Sequence, residues 1–278
     1  MYPFDLPIVD AHAHLFPERI AAAAVHATNE FYRHPRTAVE PGFLEEYPGS
    51  GTVKDLLRAE REAGISRAMV FSCATNARQV PAVNTFVSQV CAETPAFIGV
   101  GTMFIDYPDY EGECDRMLRL GLKGVKLHPD IQRFAVDDPR LYPLYEIMQE
   151  KGLFLITHAG DHRFDFSGPK RLRRVAEDFP QMKLICAHFC GWSQWEEARS
   201  LLKRDNIYMD TSSTIPFGGR EPALQGFRHF DPTHIFFGSD YPMWSPKTEL
   251  ASILSLGLDD ETLEGVLYRN LERFLDLP

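Results

Sequence analysis

Asp10-Ala11-His12-Ala13-His14 sets two histidines two residues apart behind the apolar lead-in of Ile8 and Val9, a spacing that can supply half of a metal site. In a strand, alternate side chains share a face, so Asp10, His12 and His14 are expected on one side. Their Cα atoms then lie roughly 7 Å apart, from which two imidazoles can converge on one ion. Further polar residues end other apolar runs: Lys126-Leu127-His128-Pro129, Thr157-His158-Ala159-Gly160, Ala187-His188-Phe189-Cys190-Gly191 and Gly238-Ser239-Asp240-Tyr241-Pro242. Taken singly, a strand-end histidine serves equally well to bond a backbone carbonyl, and an aspartate before Tyr-Pro to fix a turn. Gathered at one end of a fold, histidines and an aspartate become a ligand set for a first-row divalent ion.

Those positions depend on the elements that carry them. About eight short apolar runs recur at a spacing of roughly 25–35 residues: Ile8 to His14, Ala68 to Ser72, Phe97 to Met103, Gly124 to His128, Leu153 to His158, Lys183 to His188, Ile207 to Asp210 and Ile235 to Asp240. Between them, Val53 to Glu60, Leu141 to Lys151, Lys170 to Phe179 and Trp195 to Lys203 carry apolar residues three and four apart, the period of an amphipathic helix. The alternation predicts right-handed βαβ units and a parallel sheet, closed as one (β/α)8 TIM barrel spanning 1–278. A doubly wound open sheet would compete, but no Gly-rich phosphate loop follows an early strand. In a barrel the polar run ends surround a single mouth.

Two stretches break the rhythm. Residues 17–50, with Phe31-Tyr32-Arg33-His34-Pro35-Arg36 and a Pro- and Gly-rich tail from Pro41 to Gly51, read as a long loop insertion after the first strand and a candidate lid. Residues 259–278 read as a C-terminal helical segment over Asp259 to Leu275, most simply a cover for the barrel.

Composition narrows the class. Lys+Arg 29 against Asp+Glu 39 gives a net charge of −10, and no basic block is interleaved with aromatics, so nucleic acid and anionic membranes are not expected partners. The N-terminus lacks a basic and apolar leader pattern and no transmembrane-length apolar run occurs, which predicts a soluble, cytoplasmic protein. The 5 cysteines (Cys73, Cys91, Cys114, Cys186, Cys190) sit in apolar runs as expected of reduced thiols, and Cys186 and Cys190 lack a second pair at zinc-site spacing. The partner expected is a small-molecule substrate. The oligomeric state is open, a homodimer included.

The Asp-x-His-x-His and Gly-Ser-Asp-Tyr-Pro pair, together with His158 and His188, resembles the amidohydrolase superfamily, in the branch that includes aminocarboxymuconate-semialdehyde decarboxylase. The resemblance covers nearly the whole chain. It implies one divalent metal ion held by His12, His14, His158 and Asp240, with zinc as the default and manganese, iron, cobalt or nickel suited to the same ligands. It also implies Asp240 and His188 as catalytic groups, His188 facing the substrate as acid/base or oxyanion partner or else binding a second metal. Lys126 matches the place of a lysine that is carbamylated in two-metal members. A single ion is favoured, with unmodified Lys126, His128, His188 and Arg33 binding substrate. Asp10 is a candidate to orient a ligand histidine. Arg36 is a further carboxylate-binding candidate beside the solvated-surface reading, and Asp161 and His162, in the loop after the fifth run, could reach substrate but read more simply as a solvated loop. Trp192, Trp195, Tyr241 and Trp244 fit an apolar pocket or ordinary packing equally well.

The function expected first is hydrolysis of an amide, ester or lactone carbonyl by metal-activated water, with Asp240 and His188 moving protons. The alternative is non-oxidative decarboxylation of a small aromatic or unsaturated carboxylic acid. A metal-retaining binding or regulatory barrel comes third. Fold alone does not separate the first two. The pocket does: a decarboxylase needs a cation for the carboxylate and an unsaturated electron sink.

Overall fold

Strands β1 (Val9–His14), β2 (Arg67–Phe71) and β3 (Phe97–Gly99) pair in that order, all parallel. β4 (Gly101–Thr102), β5 (Gly124–Leu127), β6 (Phe154–Thr157), β7 (Leu184–Cys186), β8 (Ile207–Asp210) and β9 (Ile235–Phe236) continue the order as a second parallel sheet. β3 and β4 follow one strand line interrupted at Val100, and the circle closes where Ala11 N donates to Phe237 O (2.8 Å) and Asp240 N to His12 O (2.8 Å). The result is the expected (β/α)8 barrel. This computed structural model describes residues 7–33 and 49–276.

Helices return the chain outside the barrel: α1 (Glu18–Arg33), α2 (Val53–Ala63), α3 (Val80–Glu93), α4 (Tyr110–Arg119), the single turn α5 (Pro129–Gln132), α6 (Tyr142–Lys151), α7 (Pro169–Asp178) and α8 (Trp195–Leu201). α9 (Thr214–Gly218), α10 (Arg220–His229), α11 (Pro246–Leu254), α12 (Asp260–Glu264) and α13 (Asn270–Phe274) complete the chain. Their ends follow local chemistry. Thr52, Asp109 and Asp259 cap α2, α4 and α12 by accepting backbone N–H groups, and Gly64 ends α2 in the left-handed conformation (φ 75°).

The strands are buried on both faces, as βαβ crossovers require. Met69, Phe71, Ile98, Phe154, Ile156, Ile185 and Phe236 form one interior cluster, joined by Leu271 and Phe274 of α13. α13 therefore packs against the end of the barrel opposite the C-terminal strand ends. Val70, Val125, Leu127, Leu155 and Leu184 belong instead to the layer under the outer helices.

Two expectations are corrected. The excursion after β1 is not loop throughout: Glu18–Arg33 is helical, because its alanine-rich stretch has high helix propensity and Ile20, Ala24, Thr28 and Phe31 recur at helical spacing. Residues 34–48, including Arg36 and part of the proposed lid, lie outside the described residues. In β1, the pairing register shifts between Asp10 and Ala13, so strict alternation fails there. Val9 and Ala11 join the interior cluster, yet His12 and His14 also reach the barrel mouth, while the Asp10 carboxyl interacts with Glu60 of α2. Asp10 therefore does not share the face of the two histidines.

Candidate active site

A cavity of about 980 Å³ opens at the C-terminal strand ends, and His12, His14, Lys126, His128, His158, His188 and Asp240 all line it. Close backbone approaches make this convergence possible. Gly238 brings the end of β9 against β1, since a Cβ there would stand 3.0 Å from that of His12. Gly160 (φ 83°) lets the loop after β6 pass the loop after β7, where a Cβ would lie 2.4 Å from the Gly191 Cα. His188, Phe189 and Cys190 adopt φ of 60°, 50° and 63° in succession, and Asp240 a φ of 58°. Non-glycine residues adopt this conformation only when their surroundings hold them there.

At the centre, His12 Nε2 lies 3.3 Å from His14 Nε2 and 3.3 Å from Asp240 Oδ1, with His14 Nε2 3.4 Å from the same oxygen. His12 Nδ1 stands 2.8 Å from Asp210 Oδ2 and donates its hydrogen there, leaving Nε2 as a lone pair. Burial, aided by Lys126, lowers the His12 pKa to about 4, so the ring is neutral. Burial would raise the Asp240 pKa, but His12, His14 and His188 outweigh it and hold the carboxylate well below its usual range. A neutral lone-pair nitrogen, a second imidazole and an ionised carboxylate at such separations call for a shared cation.

A second chain of contacts fixes His158. His188 Nδ1 lies 3.0 Å from the Ser212 carbonyl oxygen, which can only accept, so Nδ1 carries the hydrogen and Nε2 accepts. His158 Nδ1 is 3.1 Å from that Nε2 and therefore donates to it. His158 Nε2 is left as a buried lone pair without a hydrogen-bond partner. Burial holds the His158 pKa well below its usual value, so the ring is neutral as a ligand must be. The donor set thus fits a divalent ion.

His12, His14 and Asp240 group with ligand atoms within 4.8 Å of one another. His158 falls outside that group and lies instead near Asp130 and Asp161, while His188 groups with His12 and Asp210. Both His188 nitrogens are engaged, a restraint the expected substrate-facing role did not include.

Asp210 escaped the sequence reading as a site residue. It does what was expected of Asp10: its Oδ2 orients the His12 ring, and its Oδ1 accepts His188 N at 3.2 Å and Ser212 N at 3.1 Å. Burial opposes its charge, but His12 and the hydrogen bonds bring the Asp210 pKa down to about 2. Asp10 holds backbone, accepting His12 N (2.8 Å) and Ser239 N (2.9 Å). The only signal for Asp210 was its place at the end of a run.

Lys126 is 1% exposed, with Nζ 3.2 Å from His12 Nε2 and 4.6 Å from the centre of the Phe71 ring. Burial lowers its pKa against the opposing pull of Asp240 and Asp210, although among the described residues neither carboxylate comes within ion-pair distance of it. His128 caps α5 through Nδ1, contacts Tyr32 Oη through Nε2 (3.3 Å) and stacks on His158 at 4.3 Å, a cavity wall with both nitrogens in use. The Arg33 side chain lies outside the described residues.

Asp161 proves buried rather than solvated, paired with Arg163, while His162 Nδ1 contacts Ser193 Oγ at 2.6 Å. The aromatic cluster packs: Trp192 stacks on Phe217 at 4.1 Å, Trp195 donates to His188 O, Trp244 to Ser213 Oγ, and Tyr241 to Asp55. All five cysteines are free. No helix among the described residues is long and apolar enough to cross a membrane.

Comparison with solved structures finds the same architecture. A Tim-barrel protein, Bb4693, of Bordetella bronchiseptica superposes with a TM-score of 0.76 at 22% identity, covering 98% of this chain and 99% of that one. The 5-carboxyvanillate decarboxylase of Sphingomonas paucimobilis gives 0.72 at 16% identity, covering 99% and 100%. A 5-carboxyvanillate decarboxylase of Novosphingobium aromaticivorans, with bound manganese and 3-methoxy-4-hydroxy-5-nitrobenzoic acid, gives 0.73 at 14% identity, covering 98% of each chain. No curated protein matches the sequence. The Amidohydro_2 family, described as Amidohydrolase, matches residues 9–277, bearing out the resemblance carried by the histidine and aspartate motifs; the chain belongs to the amidohydrolase family.

Proposed function

We propose that the protein is a metal-dependent, non-oxidative decarboxylase of a small-molecule carboxylic acid, the reading that stood second in the sequence. The observation that carries it is Lys126: a buried amine without an ion-pair partner among the described residues, facing a cavity with mainly apolar walls. With a divalent ion bound, the ion and Lys126 would outnumber the charges of Asp210 and Asp240 by one, and a substrate carboxylate supplies the missing negative charge. The same fold carries decarboxylation in the 5-carboxyvanillate decarboxylases.

His12, His14 and Asp240, with the partnerless His158 Nε2 facing the same cavity, would hold a single divalent ion. Manganese and zinc both suit this nitrogen and oxygen set, and the ion would polarise the acid and offset charge developing on it. Lys126 acts unmodified, binding the carboxylate. His188 supplies the proton that replaces carbon dioxide: the C–C bond breaks, its electron pair stays on the substrate carbon, and that carbon takes the proton. For this, His188 Nε2, which accepts from His158 in this structure, must exchange His158 for substrate and first take up a proton from solvent.

The test is a panel of aromatic and unsaturated acids beside amides, esters and lactones, offered to manganese- and zinc-loaded protein. Carbon dioxide release from acids without hydrolysis of the others is expected. Hydrolysis with no carbon dioxide would overturn the proposal and restore the hydrolase reading.

A further inference from the structure

The cavity does not end at the polar cluster. It continues between α1 and α3, where Ile20, Ala24 and Phe31 face Ala82, Val83 and Phe86. On α1 these residues recur at helical spacing and extend the wall by about 16 Å. Ile20 is 45% exposed, which for a large aliphatic side chain at a cavity edge marks surface that a ligand can cover. The volume of about 980 Å³ lies at the upper end of the ~300–1,000 Å³ that pockets for drug-sized ligands occupy. One aromatic ring with a carboxylate would engage the polar end and leave this groove unfilled.

We propose that the substrate is a carboxylic acid bearing an extended apolar substituent, with the acid at Lys126 and the substituent in the groove between α1 and α3. This inference rests on the decarboxylase reading, because it takes the carboxylate end as fixed. Small residues at Ala24 and Ala82 keep the groove open from both walls. Neither lies in the polar cluster, so filling the groove should leave recognition of the acid group intact.

The experiment measures binding of benzoate and of 4-ethyl-, 4-butyl- and 4-hexylbenzoate to metal-loaded protein by calorimetry, with 4-hexylbenzamide as neutral control. Affinity should rise by about fourfold per methylene along the series, the increment for removing one CH2 from water. Ala24→Trp and, from the opposite wall, Ala82→Trp should each flatten that slope while benzoate binding stays within about twofold of wild type. Affinity flat or falling with chain length, or a slope that survives both variants, would overturn the groove. The control separates the two levels: 4-hexylbenzamide binding as tightly as 4-hexylbenzoate would sink the carboxylate reading while the slope still reports on the groove.

Discussion

Arg163→Met should unfasten the wall of the cavity. The side chains of Arg163 and Asp161 are both fully buried (0%), with Nε and Nη2 on the two carboxylate oxygens at 2.7 and 2.5 Å. Nη1 donates to Phe31 O at 3.3 Å, and the guanidinium sits 4.7, 4.8, 5.3 and 5.2 Å from the rings of Phe31, Tyr32, Phe164 and Trp192. One cation therefore ties the C-terminal end of α1 to the loop after β6. Removing it leaves Asp161 uncompensated, which costs about 3–5 kcal/mol, and forfeits ring contacts of about 0.5–1 kcal/mol each that overlap with that figure. We expect a loss of about 4 kcal/mol in urea unfolding, with unchanged m. Because a buried ion pair as a whole is close to neutral, Arg163→Met with Asp161→Leu should lose about 2 kcal/mol less than the two single variants summed. A single-variant cost below about 1 kcal/mol, or strict additivity, would refute the argument. In the Arg163→Met variant the cavity wall at Phe31 and Tyr32 should loosen, read as weaker binding of apolar acids than in the wild type.

Asp210→Asn should weaken metal affinity by about 10–100-fold in a competitive chelator titration, because the group that fixes the His12 tautomer loses its charge and one of the two oxygens that accept from His12 and the backbone; unchanged affinity would remove Asp210 from the site. His188→Asn should lower turnover by about 10²–10⁴-fold with metal still bound, and loss of the metal instead would make His188 a ligand. Glu249 is fully buried without a charged partner of opposite sign among the described residues, and burial raises its pKa well above 4.5. Its folded form keeps a proton that the unfolded chain releases, so the stability it contributes is present below pH 4.5 and lost as pH rises toward the raised value. Glu249→Gln should therefore melt close to wild type at acid pH and progressively above it at alkaline pH, with a pH-independent difference refuting the reasoning.

The sequence told most where function depends on position along a strand. His12, His14, Lys126, His128, His158, His188 and Asp240 could be placed at one mouth because parallel strands in a barrel all end there, whatever the side chains do locally. It told least where function depends on partners. His12 and Asp210 are 198 positions apart, and only the closed barrel sets β8 where its carboxylate meets the β1 imidazole. Asp10, two positions from His12, looked the better partner, but the register shift in β1 sends it toward α2. A strand period of two holds only while the pairing is regular, and bulges favour sites where a side chain must be re-aimed. The three left-handed residues from His188 are hidden for the same reason, since no glycine announces them. The contacts with Asp210, Ser212 and His158 that set the His188 tautomer come from other strand ends. The type of donor at each strand end is thus a local property that residue types disclose, whereas the direction of each lone pair is a property of the closed barrel, and that direction decides whether the cluster can hold an ion.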